Sequence, residues 1–394
     1  MSAPYLEPGR IGPLTLRNRL VRAATGETMA TARGDVTDAH VRLYGDLARG
    51  GAGLIITGHL FVEQRGQYAP FQLGIHDDQC VAGLRRITEA VHAAEGVIFA
   101  ELAHAGSQTV MTDIEPIAPS VVPNAIYARQ PREMTSTDIA AVIAAFGAAA
   151  HRAIDAGFDG IHLHSGNGYL LSQFNSPFAN RRDDEWGGDG ERRGRFLHEV
   201  YGAVRRIVGS SVPVTARIGV TDAVAGGLSM EEGLARIKSL RAEGLDAVEC
   251  TYGLMNSYTE NIRPYTGITR ARALADGVLH RIFSSPVPEA YYRPFAQAVK
   301  REIDIPVILV GGMRTTDTMA DVIRSGDADF IAMARPFVRE PDLPKQITAG
   351  RRGLVDCVSC NICLVHEGSD ALKCWRTRWS DLAQHASWRI AQRN

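Results

Sequence analysis

Net charge is nearly missing from this sequence: 43 Lys and Arg stand against 44 Asp and Glu, leaving −1 at pH 7. So balanced a surface has no global field toward nucleic acid or an anionic membrane, and small molecules are the expected partners. Residues 1–20 lack the cationic start and apolar run of a signal peptide, and no stretch reads as apolar over the roughly 18 residues of a membrane span. A cytoplasmic protein is expected. Cysteine is scarce and uneven. Cys80 and Cys250 stand alone, whereas Cys357, Cys360, Cys363 and Cys374 share one short segment, which excludes a secreted disulfide framework. Isolated cysteines act as small hydrophobes, so Cys80 and Cys250 receive no role. Internal repeats, low-complexity tracts and linkers are absent before Gly350.

What the sequence has is the composition of a globular enzyme, 45% hydrophobic with 39 glycines, and a regular alternation. Short β-branched runs at 19–23, 53–57, 97–102, 160–164, 213–218, 247–251, 306–310 and 329–332 alternate with helical stretches, as parallel βαβ units do. Eight such runs suit an α/β fold closed as a (β/α)8 TIM barrel better than an open doubly wound sheet. Segments 138–154 and 230–243 carry helical periodicity, the second opened by a capping box at Ser229 and Glu232. Two connections, 107–135 and 252–291, are too long for turns and follow strand C-termini. They are expected to be binding loops on the C-terminal face, with Tyr252, Tyr258 and Tyr265 covering substrate. The expected division is a barrel over 1–349 and a short Cys-containing extension over 350–394, packed on the barrel.

The densest signal starts where the fourth run ends: His162-Leu-His164-Ser-Gly-Asn167-Gly-Tyr169, continuing through Asn180-Arg-Arg-Asp-Asp184 to Arg192-Arg-Gly-Arg-Phe196. His164 and Asn167 can aim donors at one oxygen, and Tyr169 can act as a neutral acid. The pattern is a carbonyl clamp with a proton donor.

This segment resembles the signature of the Old Yellow Enzyme family of NAD(P)H:flavin oxidoreductases, shared with dienoyl-CoA reductases and trimethylamine dehydrogenases. The resemblance extends to Leu16-Arg-Asn-Arg-Leu20, Gly51-Ala-Gly-Leu-Ile-Ile-Thr57, Glu101-Leu-Ala-His-Ala-Gly106, Val310-Gly-Gly312 and Ala332-Met-Ala-Arg-Pro336. It implies FMN as cofactor and NAD(P)H as reductant. Gly311 and Gly312, with Arg335 and the flanking Met313 and Ala334, are implied to hold the FMN phosphate end. Arg217 is implied to face the flavin N1 and C2 oxygen, with His164 also against the cofactor. Two positions depart from the family pattern. Glu101 stands where many relatives have Gln, and Ala24-Thr25-Gly26 stands where they place a Cys or Thr, Gly26 by spacing, with Thr25 or Thr28 as alternative hydroxyls.

The resemblance implies an ene-reductase: hydride from flavin N5 and a proton from Tyr169 add across the double bond of an α,β-unsaturated carbonyl compound held by His164 and Asn167. The alternative, an oxidative N-demethylase or amine dehydrogenase of the trimethylamine dehydrogenase type, draws on the cysteines. Cys357, Cys360, Cys363 and Cys374 resemble the iron–sulfur ligand run of the latter two branches. Their spacing also admits tetrahedral zinc or four unligated thiols. The tail residues Trp375, Trp379 and Trp388 are expected to pack on the barrel or on another subunit of a homo-oligomer. A flavin-free lyase or isomerase barrel binding a phosphorylated metabolite, and a noncatalytic flavin-binding scaffold, are the competing readings.

Overall fold

In the computed structural model of the chain, residues 3–124, 126–127, 129–255 and 289–391 are described. Eight strands, β1 (Leu20–Arg22), β2 (Leu54–Ile56), β3 (Ile98–Ala103), β4 (Gly160–Ser165), β5 (Val214–Ala223), β6 (Ala247–Met255), β7 (Val307–Leu309) and β8 (Phe330–Met333), alternate with helices. Each pairs in parallel with the next, and β8 pairs with β1. The eight strands close into a ring, as the eight-run pattern predicts.

Most strands are within a residue or two of the predicted runs, but β5 and β6 run longer. They stay paired above the barrel rim, from Thr221 with Tyr252 to Ala223 with Met255, through two register shifts. The residues there are partly polar, so the hydrophobic pattern that marks a barrel strand stops before the strand does. The predicted helices form as Ser136–Asp155 and Met230–Ala242, and Ser229 caps the second by accepting from the Glu232 N–H at 3.2 Å.

Helix Ser136–Asp155 corrects one expectation, because its length and composition would allow a membrane span. Its Ile139, Val142, Phe146, Ala149, Ala150 and Ala153 face are buried in the core between barrel and helices. The alanines that let it pack closely also raise its mean hydropathy.

A hairpin of Gly9–Ile11 with Leu14–Leu16 closes the N-terminal mouth of the barrel. Ile11 and Leu16 are buried there in a cluster with Phe99 and Phe330. The opposite mouth, at the strand C-termini, is left for the site. The chain beyond Gly350 lies against it, with the Val355 N–H donating to Arg314 O at 2.9 Å and the Leu372 N–H to Glu27 O at 2.9 Å. Trp375 is buried and stacks on His366 at 3.8 Å, with Trp388 at 4.5 Å from the same ring. Trp379, expected to pack, is 88% exposed.

Candidate active site

Strand register builds the floor of the site. Glu101 of β3 stands opposite His162 of β4, His164 opposite Arg217 of β5, and Arg217 opposite Glu249 of β6. Opposed residues share a face of the sheet, so pairing alone gathers these five polar groups in one layer. Arg217 Nε donates to Glu249 Oε1 at 2.6 Å, while Glu101 Oε1 lies 3.4 Å from His164 Nδ1 and 3.8 Å from Arg217 Nη1.

Two carboxyls therefore share one guanidinium. Burial pushes Glu101 up to about 8, against the pull of Arg217 and with added repulsion from Glu249. Burial, reinforced by Arg217, holds His164 well below the usual histidine range, so it is neutral at pH 7. Glu101 Oε1, Glu249 Oε2 and His164 Nδ1 are buried without a hydrogen-bond partner among the described residues. Buried polar atoms left unsatisfied are costly, and a polar ligand above this layer would satisfy them.

Above the floor lies a cavity of about 270 Å³. Ala24, Thr25 and Gly26 reach it from the loop after β1, and Glu101, His164 and Arg217 from the floor. Gly311, Gly312 and Met313 follow β7, and Ala334 and Arg335 follow β8. Gly311 and Gly312 have φ of 110° and 77°, a left-handed backbone that glycine adopts without strain. A Cβ on Gly311 would come within 2.8 Å of the Tyr291 ring. The cradle beside Arg335 thus depends on the missing side chain.

The turn from β4 supplies the rest. Asn167 has φ of 55°, which asparagine tolerates, and its N–H donates to Tyr252 O at 2.8 Å. Its Nδ2 donates to Thr251 Oγ1 at 3.0 Å, leaving its second amide hydrogen to point elsewhere. The Tyr169 ring stands 4.3 Å from the His164 ring, both at the cavity wall. His164, Asn167 and Tyr169 are thus brought together as their spacing predicts.

Residues 5–353 match the family described as NADH:flavin oxidoreductase / NADH oxidase. The chain belongs to this family. It is 35% identical over 359 residues to an NADH oxidase of Thermoanaerobacter brockii, covering 90% of this chain and 52% of that protein. The chain thus spans about half the length of that relative. A 4,4'-dithiodibutanoate disulfide reductase of Rhodococcus erythropolis is 34% identical over 371 residues, covering 91% of each chain. Among solved structures, a 2-naphthoyl-CoA reductase superposes with a TM-score of 0.84 at 25% identity, covering 94% of this chain and 56% of its own. An Old Yellow Enzyme homologue from Zymomonas mobilis superposes with a TM-score of 0.73 at 26% identity, covering 90% and 95%.

Several residues of this cavity escape a reading of the sequence. His59 follows β2, and Tyr68, Gln108 and Tyr127 come from the loops after β2 and β3. Arg314 joins Arg335 at the glycine cradle, its buried Nε without a hydrogen-bond partner among the described residues. Glu249 was visible in principle, as a charge inside an otherwise apolar strand run.

Tyr252 is not brought to the cavity. Successive strand residues face opposite sides, so Thr251 points in and Tyr252 packs outward against Tyr292 and Phe295, at 5.6 and 5.1 Å between rings. Tyr258 and Tyr265 lie outside the described residues. Thr25 and Thr28, the alternative hydroxyls, donate to Ala23 O at 3.0 Å and Asp370 O at 2.7 Å. The second half of the signature is structural. Asn180 Nδ2 bridges Phe174 O and Trp186 O, and Arg182 is fastened to Asp184.

Cys357, Cys360, Cys363 and Cys374 line one cavity of about 160 Å³, and Cys363 also reaches the larger one. Among the described residues no three His, Cys, Asp or Glu stand close enough to hold a metal ion. Burial pushes Cys363 up to about 12, so thiolate character there requires a cation.

Proposed function

We propose that the chain is an FMN-dependent ene-reductase that uses NAD(P)H to reduce the double bond of α,β-unsaturated carbonyl compounds. The observation that carries this reading is the gathering of His164, Asn167 and Tyr169 on one cavity wall above a buried layer of unsatisfied polar atoms. The residues fit FMN. Gly311 and Gly312 with Arg314 and Arg335 form a phosphate cradle of backbone N–H groups and cations, and Arg217 offers a buried positive charge to the ring. Bound FMN supplies the hydride that NAD(P)H delivers.

The chain's own groups do the rest. Neutral His164 and the free Asn167 amide hydrogen hold the carbonyl oxygen and stabilise the negative charge that develops on it. Tyr169 gives its phenolic proton to the α carbon. The barrel over 1–349 holds the cofactor, and the extension over 350–394 closes the cavity. NAD(P)H should bleach the bound flavin, and an enone should restore its colour. Recolouring by oxygen alone, with methylated amines bleaching the flavin, would favour an amine dehydrogenase.

Cys357, Cys360, Cys363 and Cys374 are the proposed ligands of a [4Fe–4S] cluster on their resemblance to the iron–sulfur ligand run, with tetrahedral zinc as the alternative. They line one cavity together.

A further inference from the structure

Among the described residues, the extension covers part of the barrel's cavity. Residues 364–372 of the extension fold over the loop after β1, fixed by Thr28 Oγ1 donating to Asp370 O at 2.7 Å and the Leu372 N–H donating to Glu27 O at 2.9 Å. These bonds set Glu367 directly over Gly26. A Cβ on Gly26 would lie 2.5 Å from Glu367 Oε1 and 3.2 Å from His59 Cε1. Any side chain at position 26 would displace the carboxyl, so the glycine that departs from the family pattern is the space Glu367 occupies.

The surroundings give this carboxyl a direction. The His59 ring is 5.4 Å from the Tyr169 ring and 5.7 Å from the Tyr68 ring, so aromatic faces lie between Glu367 and the proton donor. Among the described residues no cation is one of the charges acting on Glu367. Arg217 is paired with Glu249, Arg335 bonds Asn361, and Arg314 belongs to the glycine cradle. Among the described residues Glu367 makes no side-chain hydrogen bond or ion pair, and the charge that acts on it is Glu27, of the same sign. Asp370, the other acid of its segment, is held by His366 at 2.8 Å. Among the described residues the substrate end is therefore a carboxyl without a counter-charge beside three aromatic rings. That combination receives cations, through charge-assisted bonds and ring faces together, and repels carboxylates.

We propose that Glu367 sets substrate choice, and that the preferred substrate is an α,β-unsaturated carbonyl compound bearing a cationic group, a protonated amine or quaternary ammonium. This rests on the ene-reductase reading. Burial and Glu27 hold Glu367 up at about 7, a strain that an incoming cation relieves.

The test compares three enones of one shape in the flavin-loaded full chain, ending in trimethylammonium, tert-butyl or carboxylate. Calorimetric binding of the saturated trimethylammonium and tert-butyl ketones supplies a readout that needs no turnover. The cationic enone should exceed the tert-butyl enone in kcat/KM, and Glu367→Gln should lower that ratio by about tenfold, with a matching loss in the ratio of binding constants. Glu367→Lys should turn the preference toward the carboxylate. Turnover of the tert-butyl enone with a cation ratio that Glu367→Gln does not move would overturn the inference and leave the reading intact. If none of the three enones is turned over, the reading fails, and the saturated pair still decides whether Glu367 selects cations.

Discussion

Glu101 Oε1 lies 3.4 Å from His164 Nδ1, with neither atom in a hydrogen bond among the described residues. At neutral pH both partners are uncharged, Glu101 because burial pushes it up to about 8 and His164 because burial pushes it down. A protonated carboxyl presents a donor beside an acceptor, as a Gln side chain does. Glu101 can therefore serve a flavin edge as Gln serves it in relatives, until it ionises.

The first prediction follows from that ionisation. Below about pH 7, Glu101→Gln should leave the flavin midpoint potential close to that of the native protein, and above pH 8 the native potential should become the more negative of the two. Spectroelectrochemical titration across pH 6–9 checks this, and a constant gap at every pH would show that Glu101 is ionised throughout.

A second prediction concerns the loop after β1. Arg22 is 1% exposed and pairs with Glu27 at 3.1 Å, and Glu27 also accepts from the Gly58 N–H at 2.8 Å. Glu27→Ala strands a buried guanidinium and should cost about 3–5 kcal/mol in denaturant unfolding. Because Leu372 bonds Glu27 O through the backbone, the extension should stay docked.

The barrel was legible because its strands are largely buried runs, and β4 with the turn after it announced its chemistry through His164, Asn167 and Tyr169. Other site residues were not, since what places them is register or a contact distant in sequence. Glu249 acquires its meaning from standing opposite Arg217. Glu367 acquires its meaning from lying over Gly26, 341 residues away in the chain. Tyr252 misled because an aromatic residue at a strand end reads the same whether it faces in or out, and strand alternation gave the inward place to Thr251.

The third prediction tests the phosphate cradle. Gly311→Ala combines a positive φ with a Cβ 2.8 Å from Tyr291, and Arg314→Gln removes a cation. Each should weaken FMN binding by about tenfold or more, measured by quenching of FMN fluorescence on titration into apoprotein. Unchanged affinity in both variants would place the phosphate elsewhere.

The fourth concerns metal. Anaerobically purified protein should contain about four iron atoms per chain and no stoichiometric zinc. Ser replacement of Cys363 should remove that iron while the yellow flavin spectrum persists. One zinc per chain would reverse the assignment.

The most direct test of the account is Tyr169→Phe, followed through the two half-reactions in stopped flow. Bleaching of the flavin by NAD(P)H should proceed at the native rate, because Tyr169 has no part in it. Reoxidation by an enone should slow by about 10²-fold or more, the usual contribution of a positioned acid. Unchanged reoxidation would contradict the role of Tyr169 as proton donor, and with it the reading of the His164, Asn167 and Tyr169 trio.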